Sequence, residues 1–430
     1  MKPRTVHHLD ALAVVRDGCW TSHANVPLSW IGTPVVGDSV LRLTETMLDA
    51  CHWLRKTRRP MSEKSRTEYG NSLQQAYRQL AELGYALQKP WNLEHKHVEA
   101  LCRMWSAQGL SASTVQGRLM VLSWWGAVLG RPGLVRGTHD YQAAFGERSM
   151  VRHQCAERDR SPRGVGMERE EVVHRAMAVD STFGHLILLQ LALGLREKEA
   201  LQARPWQAMV WGVDAPSAIT HARDDIRSYW RLAHNRGSKG GRPRVVCFNQ
   251  GPWQMQAILQ VRDFLVERGR VAGLTLAQSR RQSLGWSSCE TLVKQSMGLQ
   301  PDQVPSTTVA GRPRQRQLQT GLVRDLYRYQ TLCKKAGFTR TGLGFTGHSM
   351  RHAFAHRELE AAGFVARFHA GAVDGGLRGA EAERIAAASG LSLAELTDLV
   401  KRAVSEQLGH ARPSVTAAYY GKVIVPVVED

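Results

Sequence analysis

The sequence predicts a mainly α-helical protein with a small β component, divided into two domains. Three observations carry this. Apolar residues recur at helical spacing from Tyr69 to Leu83, around Val98, Leu101 and Trp105, and from Val115 to Val128. The segment 146–166, GERSMVRHQCAERDRSPRGVG, has high charge, glycines, a Ser-Pro pair and no hydrophobic period. Two short apolar runs read as strands, RVVCF, from Arg244, and KVIVPVV, from Lys422.

Residues 1–40 mix Gly, Pro and isolated aromatics without a period and form an extension with no assigned role. Residues 41–145 read as a helical bundle. Ser62 is a candidate N-cap and Gly84 a stop for its first helix, and the last long helix follows the cluster SAST and ends at Gly130. Counting Trp20 and Trp30, this half holds seven of the chain's 12 tryptophans, and their place on the apolar stripe favours core packing over base stacking. Segment 146–166 is the linker and 167–430 the second domain. That domain opens with MEREEVVHRAM, whose acidic first turn suits the helix dipole. The run Leu186 to Leu195 is apolar on all sides, which predicts a buried helix broken by Gly194, with Arg196 emerging at the edge of the core. Lys239 lies in the Gly-rich turn ahead of RVVCF, a cationic tip on a β-hairpin. Residues 270–345 read as a polar, Arg-rich insertion before the helical stretch TGLVRDLYRYQTLCKKAG, and HAGAVDGGLRGAEAERIAAASG as a second interruption.

The chain of 430 residues carries a net charge of +19, with 18 basic against 12 acidic residues over 1–150 and 39 against 26 over 151–430. A positive field spread over both halves points to a polyanion, with nucleic acid the first choice. The seven scattered cysteines, with no C-x-x-C pair, read as reduced thiols of a cytosolic protein. No hydrophobic stretch has signal length or the roughly 20 residues of a membrane span, which argues against export and membrane insertion.

Five features stand in order along the chain: Arg196 in GLREKEAL, Lys239 in NRGSKGGRPRVVCF, His348 and Arg351 in GHSMRHAFAH, His410, and Tyr419 nine residues later in QLGHARPSVTAAYYG. Each alone has an ordinary reading. An isolated Arg is usually a surface or ion-pairing residue, Lys239 suits a basic turn, and His348 and His410 suit hydrogen-bonded core positions. His352 and His356, four apart, suggest a metal pair, but HAFAH lacks the glutamate of a zinc-protease helix and no third ligand is apparent. GSKGG does not continue into the GK[ST] of a phosphate-binding loop. In order and spacing, the five together resemble the tyrosine recombinase (phage integrase) family over roughly residues 60–425.

The resemblance implies a helical, SAM-like core-DNA-binding domain at 41–145 and an α+β catalytic domain at 167–430, whose small antiparallel β-sheet carries a mobile lysine. It implies a site-specific recombinase that cleaves and rejoins DNA through a 3′-phosphotyrosine, as the integrase of a mobile element. The partners would be double-stranded DNA and three further copies of the chain on paired sites, with room for an accessory directionality factor, in the bacterial cytoplasm and nucleoid. No metal, nucleotide or other cofactor is implied. Tyr419 would be the nucleophile, with a phenol of ordinary pKa about 10 that must lose its proton near positive charge. Arg196 and Arg351 would flank the phosphate with guanidinium forks. His410 would add a hydrogen bond, His348 would accept the phenol proton, and Lys239 would protonate the leaving 5′ oxygen. Glu199 would orient Arg196, and His352 would support the site. Tyr420, adjacent to Tyr419, points about 100° away on a helix, so only one of the two can face the phosphate. Candidate DNA contacts are the exposed basic residues Arg58, Arg59, Lys64, Arg66 and Arg118, together with Arg242 and Arg244 beside the hairpin. For each of these, solvated surface charge is the competing reading. A type IB topoisomerase-like enzyme and a DNA-binding regulator on a recombinase fold are the two rival functions.

Overall fold

The computed structural model describes residues 41, 44, 61, 63–85, 87, 89–129, 131, 133–145, 158–211, 228–232, 244–248, 252–298, 321–361, 364–367, 387, 390–410, 419 and 423–426. The chain is mainly α-helical and divides into two compact units, Met1–His153 and Gln154–Asp430. Among the described residues no helix is long and apolar enough to cross a membrane.

In the first unit α1 (Glu63–Glu82) buries Leu73, Ala76, Tyr77 and Leu80, one stripe of its surface, and the chain leaves it through Gly84 at φ 85°. Helix α2 (His95–Ala107) starts in a capping box, with the Glu94 amide donating to His97 Nδ1 at 2.8 Å. Helix α3 (Ala112–Val128) begins inside the Ser/Thr cluster, because the Ser111 hydroxyl accepts from the Thr114 amide and so caps it. A short α4 (Thr138–Phe145) closes the bundle. Trp105 and Trp125 lie at its centre, 1% and 0% exposed. Their indole N–H groups are satisfied inside, by Gln79 Oε1 at 2.9 Å and the Tyr77 hydroxyl at 2.8 Å, so these rings are packed away from any base.

The second unit is built around α6. Helix α5 (Arg169–Val179) carries Glu170 and Glu171 in its first turn. Asp180 then caps α6 (Ser181–Leu193) by accepting from the Phe183 amide at 2.9 Å. Every residue of α6 from Thr182 to Leu193 is buried. Gly194 ends it in the left-handed region at φ 58°. Arg196 follows as the N-cap of α7 (Glu197–Leu201), and α8 (Pro205–Ala208) leads into β1 (Met209–Trp211).

Strands β1, β2 (Ser228–Leu232) and β3 (Arg244–Cys247) pair antiparallel in that order, with Leu232 opposite Arg244. Lys239 and Arg242 fall in the β2–β3 connection, outside the described residues. Helices α9 (Pro252–Val271), α10 (Leu276–Ser279), α11 (Trp286–Ser296), α12 (Gly321–Lys335) and α13 (Ser349–Ala361) follow. Strand β4 (Phe364–Arg367) pairs antiparallel with the late strand β5 (Val423–Pro426), and α14 (Leu393–Gln407) lies between them in sequence.

The stretch after residue 270, which the sequence marks as a polar, Arg-rich insertion, holds helices ahead of TGLVRDLYRYQTLCKKAG. It contains α10 and α11, where buried apolar anchors, Leu284, Trp286 and Leu292, combine with polar ones. Arg268 donates to Gln282 Oε1, Ser283 O and Leu284 O at 2.9, 2.8 and 3.1 Å, and Asp325 accepts from the Ser287 amide and hydroxyl.

Gly194 is a tight joint in this unit. A Cβ there would come within 2.4 Å of the Phe354 ring, in a φ region that costs an L-residue about 1–2 kcal/mol by itself. With about 1–3 kcal/mol more for forcing the packed ring aside, Gly194→Ala is expected to lower stability by about 2–5 kcal/mol. A shift in the urea midpoint with an unchanged m-value would show it.

Candidate active site

Four pieces of chain meet at the open end of α6. The first is the α6–α7 corner. The Arg196 amide donates to Glu199 Oε2 at 2.7 Å and its guanidinium to Glu199 Oε1 at 2.8 Å, so one fully buried carboxylate fixes both ends of this arginine. The second is the start of α13, where His348 precedes the helix and Arg351 and His352 lie in its first turn. The third is the end of α14, where Leu408 is the C-cap and Gly409, at φ 63°, turns the chain into His410. The fourth is Tyr419, in a helical residue and 7% exposed.

Arg351 is the hub of this cluster, 1% exposed, and it uses every nitrogen of its guanidinium. Nε donates to the Tyr419 hydroxyl at 3.2 Å, Nη1 to the Gly194 carbonyl, and Nη2 to the Leu408 carbonyl. Nη2 also lies 3.4 Å from His410 Nε2. Arg196 Nη2 donates to the same Leu408 carbonyl at 3.2 Å, so two guanidiniums converge on one acceptor oxygen. The Tyr419 hydroxyl lies 3.2 Å from His348 Nε2. The His352 ring covers the Tyr419 ring with centroids 4.5 Å apart and planes at 33°, and the His410 ring stands 5.2 Å from it.

The electrostatics of the histidines follow from this crowding. His348 has an edge open to solvent, yet the protein around it, then Arg351 and then Arg196, press its pKa down to about 4. Burial, followed by its neighbours His348 and His356, brings that of His352 down to about 3. Both rings are therefore neutral at pH 7. With Arg351 able only to donate, the Tyr419 oxygen accepts from Nε, and its own proton can go to a neutral His348 Nε2 in the tautomer that carries the ring hydrogen on Nδ1.

These depressed values set an expectation for stability. In the unfolded chain each histidine takes up a proton below its ordinary 6.5, whereas in the folded protein His348 does so only near 4 and His352 near 3. The unfolded state binds more protons in that window, so stability is expected to fall as the pH drops from about 6.5 to about 3. The buried His352 should dominate, since solvent screens the open His348. Urea midpoints measured across this range should decline in the wild type and decline less in His352→Phe.

Of the residues singled out in the sequence, Arg196, Glu199, His348, Arg351, His352, His410 and Tyr419 lie in this cluster. Lys239 and Tyr420 lie outside the described residues, as do Arg58, Arg59 and Arg242. Lys64 falls in α1 and Arg244 opens β3. Arg66 lies on α1 and is half-buried. Arg118 is half-buried as well, where the sequence reading takes it as exposed. Its guanidinium lies 5.2 Å over the Trp105 ring and donates to Gln75 Oε1 at 3.1 Å, because a long stem on the bundle's flank packs along its neighbours. The sequence reading misses Gly194 and Leu408, which act through carbonyls and carry no side-chain signal. It also sets His356 aside as half of a rejected metal pair. Among the described residues no group of three or more His, Cys, Asp or Glu side chains is placed to hold a metal ion. No family model, curated protein or solved structure matches this chain.

Proposed function

We propose that the second unit is a DNA transesterase that works through a phosphotyrosine, and that Tyr419 is its nucleophile. The supporting observation is the bracket around the Tyr419 hydroxyl, with a guanidinium N–H on one side and a neutral imidazole nitrogen on the other, each at 3.2 Å. A phenol so placed can pass its proton to His348 Nε2 as its oxygen attacks phosphorus. The bond from phosphorus to the 5′ oxygen then breaks, leaving a 3′-phosphotyrosine and a 5′ oxygen that takes up a proton, from Lys239 in this reading.

Charge on the non-bridging oxygens would be met by Arg196 and Arg351. Their convergence on the Leu408 carbonyl supports this, because a phosphate oxygen is an acceptor of similar size and needs donors from the same directions. His410, next to Arg351 Nη2, would add a donor to the same oxygens. Because guanidinium groups supply the positive charge, the reaction as read here needs no metal ion or nucleotide. The +19 charge suits a duplex partner whose affinity falls with salt.

Within that class, we read the protein as a site-specific recombinase of the tyrosine recombinase type, the integrase of a mobile element. The family resemblance adds the helical first unit as a second DNA-binding body and a tetramer on paired sites.

The test is covalent capture on duplexes tiled from the DNA that flanks the gene. Each carries a nick placed so that the short strand freed by cleavage diffuses away. A protein–DNA adduct that survives denaturant and forms in EDTA is expected. Sequence-specific binding with no adduct on any duplex would overturn the reading in favour of a regulator. Adducts joined to relaxation of plasmids lacking paired sites would move it to a topoisomerase.

A further inference from the structure

We infer that His356 is a positioning residue that clamps the main chain of Tyr419 to α13. The inference rests on the reading of Tyr419 as nucleophile. His356 lies one helical turn beyond His352 and is 9% exposed. Its Nε2 is 2.9 Å from the Tyr419 carbonyl oxygen. A carbonyl only accepts, so Nε2 carries the hydrogen. The other ring nitrogen, Nδ1, stands 3.5 Å from Asp159 Oδ1. The same carboxylate oxygen accepts from the Ser161 amide at 2.7 Å, which fixes the turn ahead of the 3-10 helix Pro162–Val165.

Tyr419 is thus held at three places along one face of α13. Its hydroxyl is tied to Arg351 and to His348 at the helix start, its ring lies against His352, and its carbonyl is tied to His356. The first two contacts orient the reacting oxygen but leave the main chain behind it free to shift. The His356 bond ties that main chain to α13, and in a doubly protonated ring Nδ1–H could also pair with Asp159. Reacting atoms must approach within about 3–3.5 Å in alignment, and a 1 Å misplacement costs on the order of 10²-fold in rate. Two alternative roles for this histidine do not fit its surroundings as well. Nucleophile activation would need a nitrogen at the hydroxyl, where His348 already stands, and metal binding would need further ligands beside it.

The experiment uses the full-length chain and the nicked duplexes that trap the wild-type adduct. His356→Leu keeps an apolar side chain of moderate size and removes the donor. It is expected to slow adduct formation at saturating DNA by about 10–100-fold while leaving the half-saturating DNA concentration within about twofold. His356→Gln places an amide N–H within reach of the carbonyl and is expected to recover most of the lost rate. His356→Phe keeps a ring and removes the donor, with the same loss of about 10–100-fold expected, and it serves if the leucine variant does not fold. A wild-type rate in His356→Leu would overturn the inference. So would a glutamine variant as slow as the leucine one, or, where the leucine variant fails to fold, a wild-type rate in His356→Phe. Absence of any adduct with the wild-type chain would instead overturn the nucleophile reading on which the clamp rests.

Discussion

Tyr419→Phe is expected to abolish covalent capture of DNA, lowering the rate of adduct formation by about 10⁴-fold or more, as loss of a nucleophile does elsewhere. The substitution removes one oxygen and little else. The phenyl ring keeps its place against His352 and His410, with centroids at 4.5 and 5.2 Å, and it keeps the carbonyl that His356 holds. Two hydrogen bonds are lost, to Arg351 Nε and His348 Nε2, which should cost about 1–3 kcal/mol of stability and leave a folded protein. On the proposed reading DNA affinity would come from phosphate contacts spread over the chain, so it should be unchanged in a gel-shift titration. Tyr420→Phe is the paired control and should cleave like the wild type. Capture that persists in Tyr419→Phe and vanishes in Tyr420→Phe would transfer the role to the neighbour. Capture that persists in both would remove tyrosine chemistry from the account.

The helices of both units are legible in the sequence because each buries a stripe or a whole cylinder that the apolar pattern records. The run through Leu193 reads as a buried helix for that reason, and Gly194 reads as its end because no other residue adopts that φ at so little cost. Helices α10 and α11 are harder to read, since α10 is four residues long and the short apolar stripe of α11 is joined by polar ties from Arg268 and Asp325 through carbonyls and hydroxyls. For the site, residue types and order are visible but contact is not. Arg196 and Leu408 are separated by 212 residues, and nothing local in either segment encodes their meeting. Main-chain acceptors such as the Gly194, Leu408 and Tyr419 carbonyls leave no trace in the side-chain sequence. His356 is hidden for that reason, because its partner is the Tyr419 carbonyl. Arg118 shows the opposite error, a basic residue on a helix flank whose guanidinium is turned inward onto Trp105.

The same reasoning makes Arg351 the residue whose loss should be felt in two ways at once. Its guanidinium is buried, holds the Gly194 and Leu408 carbonyls together and donates to the Tyr419 hydroxyl. Arg351→Lys retains the charge but replaces a planar fork with a single point, which cannot reach both carbonyls and the phenol together. One lost transition-state donor is worth about 2.7–4 kcal/mol, so adduct formation by the lysine variant is expected to slow by about 10²–10³-fold. Arg351→Ala goes further, because two buried carbonyls lose a charged donor and Arg196 is left to hold the Leu408 oxygen by itself. A destabilisation of about 2–5 kcal/mol is expected from that loss. The two effects separate by measurement, with urea midpoints reporting the scaffold and single-turnover capture at saturating DNA reporting the chemistry. If Arg351→Lys cleaved at the wild-type rate while losing stability, the guanidinium would be a structural brace between α6 and α14, and the charge at the phosphate would have to come from Arg196 and His410.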